Sequence, residues 1–311
     1  MHKVYVVYYE RIIIMTTDIK PINEEKIFFI IPQSLIIDSK LPPERIAIYC
    51  RLRKDSVITP VVQSFDWLTW IGDCNKPEMK YNSQVQYDCS SICRWLGRNP
   101  LSRSRKNNCY KRVIETIEAF INNKIIENPK RIKYNLFKAN FNELPTEVHF
   151  AKIFLDEIDK IIHYQSDKYT DKYKPINKAN VILVLAYLRL RIPINNVGTD
   201  YIEAFDCFYR DIAADIGIGD DAVQKAIFVL NDLGIIYSED YEYISGRFNL
   251  VTHIFSNVYK RDTINGVLTA SGEDYYKKNI NKQKSKLKKM YKALSERCIL
   301  KAGGGTNETS T

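Results

Sequence analysis

The sequence predicts a mainly α-helical fold with small β-hairpins, of the α+β class. Three observations carry that expectation. Several segments repeat apolar residues at helical spacing, short β-branched and aromatic runs follow two of them, and glycine punctuates the joins. The chain has 311 residues, 45% hydrophobic and 27% charged, which is ordinary globular composition with room for about two domains. Wholesale disorder and collagen-like repeats are excluded on that basis. No uninterrupted apolar run reaches the roughly 18 residues a membrane-spanning helix needs, so no membrane partner is expected.

Residues 1–25 read as an N-terminal extension whose apolar runs, Val4 to Tyr9 and Ile12 to Met15, suit a β-strand or an upstream read-through, with Met15 as an alternative start. Residues 26–142 form the first unit. Phe28 to Pro32 (FFIIP) is a short strand, and Pro42-Pro43 opens a helix through Arg53 with Ile46, Tyr49 and Leu52 as its buried stripe. Ser90 to Leu96 is a short helix closed by Gly97, with Ser64 to Gly72 as its rival. Asn107 to Asn123 is a longer helix with Tyr110, Val113, Ile114, Ile117, Phe120 and Ile121 facing inward. Ile125-Ile126 and Ile132 to Phe137 then give a hairpin.

Residues 143–178 connect the units: Pro145 to Ile162 reads as one amphipathic helix, and the polar His163 to Lys174 as a linker. Residues 179–260 form the second unit. Ala179 to Leu190 is apolar nearly all round, hence a buried helix. Ala204 to Ile216 has helical spacing and is broken by Gly217-Ile218-Gly219. Asp220 is the expected N-cap of the next helix, Asp221 to Leu233, which Gly234 ends. Ile235 to Tyr237, Tyr243-Ile244 and Phe248 to Val251 supply a second hairpin. Residues 261–301 are a lysine-rich segment, either helix or disordered arm, and residues 302–311 a disordered tail.

Helix, helix, glycine turn, helix, hairpin is the order of a winged helix-turn-helix, in which the later helix enters a DNA groove and the hairpin flanks it. The motif RDIAADIGIGDDAVQKAIFVLNDLGII (residues 210–236) resembles the winged-helix superfamily. The opening FFIIPQSLI, the following PPERIAIYCRL and the second unit together resemble the tandem winged-helix replication initiators of plasmids and phages of low-GC Gram-positive bacteria. That resemblance implies two tandem winged-helix domains, binding to origin repeats in double-stranded DNA, and contacts with host replication proteins.

Charge is distributed unevenly beneath a net +9. Residues 86–140 hold twelve Lys/Arg against four acids, residues 200–250 eleven acids against three Lys/Arg, and residues 277–301 ten Lys/Arg against one acid. The first unit is therefore the expected DNA reader. Its candidate contacts are Ser102, Arg103, Ser104, Arg105, Lys106, Asn107, Asn108, Lys111 and Arg112 at the start of the long helix, with Lys130, Arg131 and Lys133 on the hairpin. Arg and Asn suit guanine and adenine edges, whereas Lys, Ser and a helix N-terminus suit phosphates. Lys284, Lys286, Lys288 and Lys289 are expected to add sequence-independent grip. The acidic second unit suits a dimer or another protein contact.

Seven scattered cysteines (50, 74, 89, 93, 109, 207, 298) do not form a disulfide framework, so a reducing cytoplasm is expected. The spacing of Cys74, Cys89, Cys93 and Cys109 lacks zinc knuckles, and no phosphate-loop, hydrolase or paired-histidine motif occurs. No cofactor, metal or catalytic activity is expected. A transcriptional regulator, or an adaptor that recruits replication proteins with little sequence specificity, is the alternative to an initiator.

Overall fold

Both halves run helix, strand, two helices and a two-stranded hairpin, and the first half adds one further strand directly after its opening helix. The structure, a computed structural model, describes residues 5–8, 11–14, 28–38, 40–60, 81–101, 108–142, 144, 149–165, 176–192, 202–245, 248–258 and 273–303. The first strands, β1 (Tyr5–Tyr8) and β2 (Arg11–Ile14), pair antiparallel as a hairpin of their own. Then come β3 (Phe28–Pro32), the short α1 (Gln33–Ile36), α2 (Arg45–Asp55), β4 (Val57–Pro60) and β5 (Tyr81–Tyr87). Helices α3 (Cys89–Trp95) and α4 (Cys109–Asn122) lead into the hairpin β6 (Ile126–Lys133) and β7 (Leu136–Phe141). Next are β8 (Phe150–Phe154), α5 (Leu155–His163) and α6 (Lys178–Arg191). The second half continues from α6 through β9 (Ala204–Cys207), α7 (Tyr209–Ile216), α8 (Asp220–Asp232), β10 (Ile236–Ser245) and β11 (Phe248–Asn257), before α9 (Glu273–Gly303).

All pairings are antiparallel and the sheets are small: β4-β5-β7-β6 in the first half, β10-β11-β9 in the second, and β3-β8 alone. In both halves the strand before the helix pair joins the last strand of the hairpin, β5 to β7 and β9 to β11.

Two segments differ from their helical spacing. Residues 150–154 are a strand because Ala151 and Ile153 alternate inward and β3 is available as partner, with Phe29 opposite Ile153. Only from Leu155 does the chain turn helical, where the Glu157 carboxylate accepts from the Phe154 N–H. Ala204–Cys207 likewise pairs with β11, Cys207 opposite His253, and the helix waits until Tyr209. The N-cap of α8 is Gly219, so Asp220 and Asp221 both sit in the first turn, where carboxylates favour the helix dipole. The lysine-rich segment is helical from Glu273, its residues 261–272 lying outside the described residues, and Ala302 and Gly303 belong to the helix. Ser64 to Gly72 and residues 304–311 lie outside the described residues.

The core centres on α6, in which Val181 through Arg189 are all buried. It packs against α1, α2, α5, α7, α8 and β8. One contiguous hydrophobic cluster therefore runs from Phe29 and Ile48 in the first half to Ile227 and Phe255 in the second. A smaller cluster joins Ala204 and Ile254 to Ile280 and Leu287 of α9.

Arg45 is fully buried and fastens the two halves. Its Nε donates to Leu35 O at 2.8 Å, Nη2 to Ile36 O at 2.7 Å and Ile216 O at 3.2 Å, and Nη1 to Leu41 O at 3.0 Å and Pro42 O at 3.2 Å. Burial pulls its pKa down to about 10, which leaves it protonated at neutral pH. Arg45→Met removes every one of those donors from buried carbonyls and is expected to cost about 3 kcal/mol, read from the urea unfolding midpoint. Arg191→Met, which breaks a half-exposed pair with Asp215, is expected to cost less than about 1 kcal/mol.

Candidate nucleic-acid interface

Helix α3 begins where Asp88 accepts from the N–H groups of Ser90 at 3.0 Å and Ser91 at 3.1 Å, an N-cap that satisfies two free donors. It ends at Gly97, whose φ of 71° takes the chain through the left-handed region. Helix α4 restarts at Asn108, whose Oδ1 accepts from Lys111 N–H at 3.0 Å. Asn108 thus caps α4 with its side-chain oxygen. Cys109, Val113, Thr116, Ile117 and Phe120 are buried, and the outward ridge is Lys111, Glu115, Glu118 and Asn122. Positive charge on the exposed ridge of α4 is accordingly confined to its first turn. Lys111 is exposed and reaches Glu115 at 3.5 Å.

The hairpin supplies the remaining cations. From Asn128 onward β6 leaves the core, and Lys130, Arg131, Ile132, Lys133 and Tyr134 are all exposed. Arg131 is held along the strand by donating to Tyr134 O at 2.7 Å, with its guanidinium 5.5 Å from the Tyr134 ring centre. Tyr134 is 81% exposed and Ile132 46%. Leu101, in the loop before α4, is 84% exposed. Burial, and then the neighbours Cys89, Asp88, Cys93 and Tyr134, push the Tyr110 phenol up.

Arg112 faces inward. Its Nε lies 3.1 Å from Oε1 of Glu44, a residue 1% exposed beside the start of α2. Neither the second carboxylate oxygen, Oε2, nor Arg112 Nε has a hydrogen-bond partner among the described residues, so the contact is an ion pair between α4 and the start of α2. The six residues Ser102 to Asn107 lie outside the described residues. Of the expected contacts, Lys111, Lys130, Arg131 and Lys133 are each exposed, on α4 and on the hairpin whose strand β6 contacts it, whereas Asn108 caps α4 and Arg112 pairs with Glu44.

In the second half the corresponding ridge is acidic, with Asp220, Asp221, Gln224 and Asp232 exposed on α8. Helix α9 lies across β9, β10 and β11. Lys284 pairs with Glu239, which this contact and the Tyr237 hydroxyl hold below the usual carboxylate range. Lys286, Lys288 and Lys289 are exposed. Tyr243 and Tyr291 stack with ring centres 3.8 Å apart, and Gln283 donates to Asp206 at 2.7 Å.

Sequence reasoning missed Glu44, Ile132 and Tyr134. Nothing local marks Glu44, since its role arises where α2 meets α4. Tyr134 carried a signal, an aromatic among cations at a turn. Cys50, Cys89, Cys93 and Cys109 are free and buried, and among the described residues no group of three or more His, Cys, Asp or Glu is placed to hold a metal. Among the described residues no helix is long and apolar enough to cross a membrane. In comparison with known proteins, no family model matches the chain and no curated protein matches it.

Burial raises the Glu44 carboxyl above its ordinary value, against the lowering pull of Arg112. A carboxyl whose folded pKa exceeds its unfolded one contributes most stability at low pH and loses that contribution as pH rises through the folded pKa. Glu44→Gln lacks this loss. The melting temperature of Glu44→Gln minus that of the wild type is therefore expected to grow more positive as pH rises from acid to neutral. A constant difference would mean that Glu44 titrates like an exposed carboxylate.

Proposed function

We propose that both halves are winged helices and that the first binds double-stranded DNA in a sequence-specific way. The observation that supports this best is the exposed basic hairpin, Lys130 to Tyr134, carried on a strand that contacts α4, whose first turn presents Lys111 outward. In this reading the start of α4 and the preceding Ser102 to Asn107 meet base edges, with Arg103 and Arg105 as the guanine readers. Lys111, Lys130, Arg131 and Lys133 hold phosphates, and Tyr134 and Ile132 rest on the sugar edge of the groove. Arg112 serves by orienting α4 through Glu44.

The acidic ridge of α8 repels phosphate, so the second winged helix serves a protein contact: a second copy of the chain or replication machinery of the host. A cytoplasmic initiator of plasmid or phage replication that binds origin repeats combines both surfaces. The adaptor reading draws on the same acidic ridge and differs in requiring little DNA specificity.

Binding to an isolated genomic target and to scrambled duplexes separates these readings. Arg103→Ala with Arg105→Ala is expected to cost about 2–5 kcal/mol on the target and far less on scrambled DNA. Lys130→Gln, Arg131→Gln and Lys133→Gln together are expected to weaken both alike and to reduce the salt slope of log K by about three. Equal loss on all duplexes from the arginine pair would favour the adaptor.

A further inference from the structure

Helix α9 has a buried face and a basic ridge, and only the first is explained by packing. Asn279, Ile280, Gln283 and Leu287 are buried against the second sheet, and Tyr291 stacks on Tyr243 from the same side. At 3.6 residues per turn, Lys278, Lys282, Lys286 and Lys289 form one ridge that flanks the buried face, and all four are exposed. No acidic residue occurs between Lys277 and Lys292, and none of the four makes an ion pair among the described residues. Together with Asn281, Ser285, Lys277 and Ile202, which precedes β9, they line an open groove of ≈ 890 Å³.

We propose that this ridge is a second DNA site, which tracks the phosphate backbone of a duplex without reading its sequence. It deepens the DNA-binding reading above and rests on it. The four lysines span about 16 Å of helix, the axial length of about five phosphates on one strand. Lysine is a strongly hydrated point charge on a flexible stem, suited to holding a phosphate row and poorly suited to selecting one small anion. The groove is open and its lining offers no buried polar anchor, which favours an extended polyanion over a discrete ligand. A lipid surface fits less well, because the apolar side of α9 that would enter the bilayer boundary is already sealed by Ala204 and Ile254. Lys284 takes no part, being held by Glu239. The site therefore consists of Lys278, Lys282, Lys286 and Lys289, on a helix fixed to the otherwise acidic half.

The test compares the full chain with a variant carrying Lys278→Gln, Lys282→Gln, Lys286→Gln and Lys289→Gln, on a labelled duplex of scrambled sequence over a salt series. The slope of log K against log salt is expected to fall in magnitude by about three to four, with affinity at moderate salt down about tenfold or more. An unchanged melting temperature verifies that α9 remains docked. If the quadruple variant misfolds, Lys278→Gln with Lys282→Gln carries the test, with about half the change in slope. An unchanged slope overturns the proposal. So does a variant that keeps its DNA slope and instead loses binding to vesicles of phosphatidylcholine and phosphatidylserine. The Arg103→Ala, Arg105→Ala variant keeps the two ideas apart: loss of target preference with an intact α9 slope supports both, and an α9 effect without any target preference leaves only this site standing.

Discussion

A helix that is apolar on every side has to be wrapped by the rest of the chain, and α6 imposes that demand here. From Val181 to Leu188 it offers no polar face to water, so neither half of the molecule can close its core without it. Helices α1, α2 and α5 with strand β8 take one side, and α7 and α8 take the other. Two similar arrangements of elements thereby share a single interior.

Charges buried at the seams follow from this sharing. Arg45 brings a guanidinium to five carbonyls where α1 and α2 meet the end of α7, replacing the water those oxygens would otherwise need. Arg189, on the polar end of α6, meets Glu157 of α5, whose other oxygen accepts from Phe154 N–H. Glu44 meets Arg112 at the base of α4. Each pair is expensive to bury and becomes favourable only in one geometry, so it fixes register between neighbours more than it adds net stability.

The order of elements was legible in the sequence wherever local chemistry decides it. Gly97, Gly217 and Gly234 all adopt positive φ at helix ends, and glycine is the residue that tolerates this. The buried face of α8 followed from apolar spacing, and so did Val113, Ile117 and Phe120 of α4, whereas Tyr110, Ile114 and Ile121 are only partly buried and the polar Thr116 is buried instead. Phe150–Phe154 and Ala204–Cys207 were not legible, because their apolar residues suit either period and only distant partners, β3 and β11, make them strands. The candidate site was legible by charge and obscure by role. Lys130, Arg131, Lys133 and Lys111 point outward, yet Arg112 and Lys284, identical in type, are held by Glu44 and Glu239. Which cation is free depends on acids brought in by packing, and that information lies outside any window of sequence.

The pairing of β3 with β8 joins strands separated by residues 33–149, so the first half begins and ends at the same place. Closing so long a loop costs chain entropy, which the organisation of the residues between reduces. During synthesis the faces of α2 and β8 that α6 covers stay bare until residue 191 has left the ribosome. The first half is thus assembled before it is sealed. Its most vulnerable moment is the interval in which β8 has met β3 and the apolar helix that completes both halves has yet to arrive.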